Sequence, residues 1–175
     1  MKRLATFSQL QTQRESTVGI SSHLYHLPYN ADHNHIVTEI TSRLDRELEI
    51  GDDAWDCVKT ISLDKSWEMI QAVLWAGPYE AQNLLRRPQP VDDRSNHGDF
   101  VLFPPLQVSG DGKLFAALDL DQISELASRQ ELVDYSGKSI NWLVDIYVLP
   151  NLRLVRQFWQ DAAAKGHCLV LRQVG

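Results

Sequence analysis

A chain of 175 residues with 43% apolar and 23% charged side chains can bury a hydrophobic core as one domain, residues 1–175, without disulfides or a structural metal, and is not of disordered composition. No run approaches the roughly 20 apolar residues of a bilayer-crossing helix, and Met1 to Glu15 lacks the apolar stretch of a secretory signal, so a cytoplasmic protein with no membrane partner is expected. The net charge of −6 repels a phosphate backbone and no Lys/Arg-rich run exceeds pairs such as Arg86-Arg87, so nucleic acid is not an expected partner, whereas a basic protein suits the charge.

Residues 1–17 are polar and without period, and are read as a peripheral lead-in. Val18 to Leu27 has the β-branched and aromatic content of a strand, stopped by Pro28. Asn30 or Asp32 can then cap a helix in which Ile36, Ile40, Leu44 and Leu48 recur every fourth residue, with Glu39, Arg43 and Glu47 spaced for ion pairs on the wet side. An acidic segment follows and breaks at Gly51. A second helix is expected from Asp64 as N-cap to Gly77-Pro78, with Trp67, Ile70, Val73 and Leu74 on one side and Met69, Trp75 and Ala76 widening the stripe. Trp67 and Trp75 are both assigned to the core.

Residues 77–98 hold three prolines and read as a long loop with one helical turn around Ala81 to Leu85. Phe100 to Val108 and Lys113 to Leu118 flank Ser109-Gly110-Asp111-Gly112 and read as a hairpin, with Pro104-Pro105 keeping the first arm at a sheet edge. Asp119 can cap a helix carrying Leu120, Ile123, Leu126 and Ala127, and Pro150-Asn151 can open another with Leu152, Val155, Phe158 or Trp159, and Ala162 on its face, closed by Lys165 and Gly166. Cys168 to Leu171 is an unbroken apolar run, which fits a strand covered on both faces. The expected class is α/β or α+β: a single sandwich with a central mixed sheet flanked by helices.

Sites are harder to find. Gly137-Lys138-Ser139 has the end of a phosphate-binding loop but not its beginning, since position 132 is Leu, and is read as a turn. His23, His26, His33 and His35 lie close in sequence, but strand positions 23 and 26 face opposite ways, so no metal site is expected. Cys57 and Cys168 are too few for a disulfide framework and are expected to be buried, inert thiols. No Ser sits in a Gly-x-Ser-x-Gly elbow, and no cofactor is called for. What is left is the acidic segment of Glu47, Glu49, Asp52, Asp53 and Asp56, with Trp55 inside it as an aromatic anchor and Trp142 as a second tryptophan in polar company. It could meet a basic partner or simply stay wet.

The segment Ile61-Ser62-Leu63-Asp64-Lys65-Ser66-Trp67, running into Ile70, Leu74 and Gly77, resembles the Leu-Asp-Lys-x-Trp signature of the YfbM-like family of small bacterial proteins of unknown function. Gly19-Ile20, the Asp119-capped helix, Ile146-Tyr147 near Pro150, and Phe158-Trp159 to Gly166 before a terminal strand are similar to that family's order of elements. The resemblance implies an α/β sandwich in which Leu63, Asp64, Lys65 and Trp67 form a structural motif; it brings no established activity. Gln71 stands where the family often has a His, and Trp75-Ala76-Gly77 replaces its usual Thr-Gly. Two functions are therefore in view. One is a non-catalytic protein-binding module, of the immunity type that neutralises a toxin; the other is a hydrolase-like enzyme using Asp64 and a distant histidine.

Overall fold

The computed structural model describes residues 21–50, 59–64, 66–85, 89–91, 98–134 and 137–175. Strand β1 (Ser21–Leu27) ends where Pro28 withdraws its N–H from the ladder. Asp32 accepts from the amide of Asn34 at 3.0 Å and starts α1 (His33–Ile50), as expected of a capping Asp. Strand β2 (Lys59–Asp64) pairs antiparallel with β1, and α2 (Ser66–Ala76) follows it. The short α3 (Tyr79–Gln82) and β3 (Gln89–Val91) occupy the region expected to be a long loop. Then come β4 (Asp99–Phe103), α4 (Pro105–Ala117) and α5 (Leu120–Ser128). A 3-10 turn (Asn141–Leu143) and a π turn (Val144–Val148) run into α6 (Leu149–Ala164), and β5 (Cys168–Val174) ends the chain.

The five strands lie in the order β2-β1-β5-β4-β3, and every described pairing is antiparallel. The fold is thus α+β, and the expected mixed sheet is corrected to an antiparallel one. The apolar run Cys168 to Leu171 is a strand covered on both faces, as expected. Here helices supply that cover on an antiparallel sheet. Leu24, Leu63, Phe103, Leu169 and Leu171 face a core built with α2, α4, α5 and α6. Tyr25, Leu27, Phe100, Leu102, Cys168 and Val170 face Ile36, Val37 and Ile40 of α1.

The expected hairpin across residues 100–118 is overturned: its first arm ends at Phe103 and the rest is α4. Pro105 sits in the first helical turn, where its missing N–H costs nothing, so the Pro-Pro pair starts a helix rather than edging a sheet. Of the two glycines that suggested a turn, Gly112 serves packing instead, since a Cβ there would lie 3.2 Å from Ala163 Cβ where α4 meets α6, whereas Gly110 is exposed with open space around it. Trp159 of α6 is buried beside them, 4.9 Å from Phe103 and 5.7 Å from Phe115 between ring centroids. Gly98 is the glycine that backbone geometry demands: its φ is +112°, and a Cβ there would fall 2.2 Å from the carbonyl oxygen of Gln173.

Trp67 is core as expected, with 3% of its surface exposed, but Trp75 is 61% exposed, which corrects its assignment. On α2 the stripe of Trp67, Ile70, Val73 and Leu74 is already complete at one helical face, and Trp75 lies outside it. In denaturant melts, Trp67→Ala should lose about 3–5 kcal/mol and Trp75→Ala about 1 kcal/mol or less. Equal losses would contradict this packing.

Asp111 was expected in a turn and is instead a buried carboxyl on α4. Burial raises its pKa to about 6, although hydrogen bonds from Gln107 and the Leu85 backbone pull it down. Leu85 is a non-glycine residue at φ +59°, and its amide bond to Asp111 helps to hold that costly conformation. A raised carboxyl pKa means the folded state holds a proton that the unfolded chain has released, so this contribution falls as pH rises from about 4 to about 6. Asp111→Asn should therefore gain on the parent by roughly 2 kcal/mol between pH 4 and pH 7, read from melts of both proteins across that range. A difference that does not change with pH would refute the assignment.

Candidate functional site

The acidic segment falls largely outside the described residues. Glu47 and Glu49 belong to the last turns of α1, while Asp52, Asp53, Trp55 and Asp56 lie outside the described residues, as does Cys57. The Leu63–Trp67 motif is a strand-to-helix junction. Leu63 leaves β2 into the core, Ser66 is buried and its hydroxyl donates to the Leu63 carbonyl, and Trp67 turns back onto the same core. Asp64 closes β2 opposite Ser22, two residues before α2 begins; its side chain and Lys65 lie outside the described residues, so its capping role is not seen.

Gly137-Lys138-Ser139 is a turn, as expected. Gly137 has φ +77° and donates to the Asp134 carbonyl at 2.9 Å, and Val133 and Ser139 form an isolated bridge. The histidines of β1 and α1 do not gather. His26 is buried and instead meets His167, which precedes β5, with their Nδ1 atoms 3.0 Å apart. The ring centroids are 5.2 Å apart, so the two nitrogens point almost straight at each other and one hydrogen lies between them. Burial, and then Lys165, lower the pKa of His167, favouring its neutral form. This head-on contact is a hydrogen bond across the β1 and β5 ends, not a pair of converging metal ligands. Among the described residues no group of three or more His, Cys, Asp or Glu is placed to hold a metal ion. Cys168, on the opposite face, donates to the Leu27 carbonyl at 3.4 Å, and burial pushes its thiol up to about 12, so it is no nucleophile at neutral pH.

The feature that stands out was only half visible in the sequence. Trp142 was marked as a tryptophan in polar company, and it is 69% exposed on the 3-10 turn. Ile146, four residues on, is also 69% exposed, and Leu154 is 55% exposed eight residues further, with exposed Pro150 between them. The four positions follow at four-residue steps through the 3-10 turn, the π turn and α6. The opposite side, Val144, Val148, Leu152 and Val155, is buried, so the helix is apolar on both sides.

Local chemistry fixes the row. Pro150 has no amide to donate to the preceding turn, and a π turn lies immediately before it. Asn151 Nδ2 donates to the Tyr147 carbonyl at 2.8 Å. Asp145, between the exposed apolar residues, accepts from Ser124 Oγ at 2.6 Å and ties the turn to α5. Asp121, three residues before Ser124 on α5, is exposed as well. Sequence reasoning missed Ile146 and Leu154 because an exposed apolar residue and a buried one look alike in a helix whose two faces are both apolar.

No protein-family model matches the chain, and no curated protein aligns with it. Among solved structures, it is similar to the crystal structure of YfbM from Escherichia coli, a protein of unknown function, with a TM-score of 0.53 at 10% sequence identity over 88% of this chain and 99% of that one. The likeness extends to the fold alone: this chain has a YfbM-like fold.

Proposed function

We propose that this chain is a non-catalytic protein-binding module that docks its partner on the row Trp142, Ile146 and Leu154. The observation that carries this reading is that three large apolar side chains, each more than half exposed, follow one another along the continuous run of 3-10 turn, π turn and α6. Contiguous exposed apolar surface costs solubility unless something covers it, and tryptophan is among the residues that dominate binding energy at interfaces. Asp145 within the row, together with the net charge of −6, selects a partner whose rim is basic. Neutralisation of a basic toxin is the specific form of this reading, and membership of the YfbM-like family is compatible with it.

The test begins with capture from extracts of the native host on the immobilised protein, with a Trp142→Ser/Ile146→Ser double variant as the matched control. A partner held by the parent and lost by the variant is then purified. Trp142→Ala should weaken its affinity by about 2 kcal/mol, mostly through faster dissociation, while leaving the melting temperature unchanged. A partner that binds parent and double variant equally would overturn the proposal.

A further inference from the structure

A cavity of about 330 Å³ lies where β1 ends and α1 begins, on the opposite side of the sheet from α6. It exists because Pro28 stops the strand and the chain must turn before the helix can return over the sheet. The turn is fixed by its own side chains: Asn30 Oδ1 accepts from the Asp32 amide at 2.9 Å, and Asp32 in turn caps α1. The gap is therefore bounded by braced backbone.

Its walls are of two kinds. Leu27 and Ile36, both buried, supply an apolar floor, and Tyr29 stands at the mouth with its ring edge against His33 at 6.3 Å between centroids. The other wall is an ion pair. Arg43 is only 8% exposed, and its Nε and Nη2 both donate to Glu39 Oε1, the former at 3.0 Å. A ligand with net charge would meet one like charge beside the opposite one and compete for a guanidinium already withdrawn from water, while Glu39 keeps 40% of its side chain exposed at the mouth. A neutral group with an acceptor and a donor side by side can address the guanidinium and the carboxylate together. The aromatic rim and apolar floor then suit a flat ring, and the volume is at the small end of ligand pockets.

We infer that this cavity is a binding site for a small neutral aromatic carboxamide, its carbonyl toward Arg43, its amide N–H groups toward Glu39, and its ring against Tyr29, Leu27 and Ile36. The site is independent of the docking row. Its test is a titration with benzamide, followed by amide chemical shifts of the folded protein, with benzoate and benzylamine as charged counterparts of the same ring. Benzamide should give saturable shifts confined to residues 27–30 and 35–43 with a dissociation constant of about 1 mM or lower, and each charged analogue should bind at least roughly tenfold more weakly. Tyr29→Ala, at an exposed position, should weaken benzamide by roughly tenfold with the spectrum otherwise preserved. Absence of saturable shifts, equal binding of the three compounds, or benzamide binding untouched by Tyr29→Ala would each overturn the inference.

Discussion

The structure depends on one placement: the last strand of the chain is the middle strand of the sheet. Cys168, Leu169, Val170 and Leu171 are all buried, alternating between two cores that the sheet separates. β5 pairs with β1 over seven residue pairs and with β4 over five, so neither half of the sheet is joined to the other except through it. The neighbouring features follow from that demand. Gly166 at φ +65° lets the chain leave α6 and enter the strand, Gly98 lets β4 approach the Gln173 carbonyl, and His26 and His167 close the strand ends. The β1–β5 ladder pairs Leu27 with Cys168, 141 residues apart, so the two halves of the sheet are joined through contacts of high sequence separation.

What the sequence disclosed is what local chemistry decides. Asp32 and Asp119 cap helices because their carboxylates reach the amides two or three residues on, wherever the rest of the protein lies. The Cys168 to Leu171 run had only one outlet, a strand covered on both sides. The expectations that failed were those decided by distant partners. Ser109-Gly110-Asp111-Gly112 favours a turn locally, yet Gly112 is needed against Ala163, and the helix prevails because its packing outweighs the propensity of two glycines. Strands β2 and β3 were missed because both lie at a sheet edge and β3 is only three residues long. Trp75 was misplaced since a helix records that a residue is apolar but not how wide its buried face is.

The candidate site was legible to a lesser degree. Trp142 drew attention through its polar neighbours, but the row it belongs to runs through a 3-10 turn, a π turn and an α helix, and no single period describes all three. The cavity beside Tyr29 was not legible at all: its shape comes from the angle at which α1 returns over β1. Both features stand on braced segments, one tied by Asn151 and Asp145, the other by Asn30 and Asp32. They lie on elements that the central strand holds at opposite faces of one sheet. Both proposed surfaces thus depend on the sheet, and loosening β5 should loosen them together.

Native-state hydrogen exchange tests that dependence most directly. If β5 joins the two halves of the sheet, the amides of Leu169, Val170 and Leu171 should exchange only through global opening, with free energies within about 1 kcal/mol of the unfolding value, while those of the edge strand β3 exchange through cheaper local opening. Exchange at Leu169 to Leu171 as fast as at the sheet edge, or a separate opening of β5 that leaves β1 and β4 protected, would contradict the account.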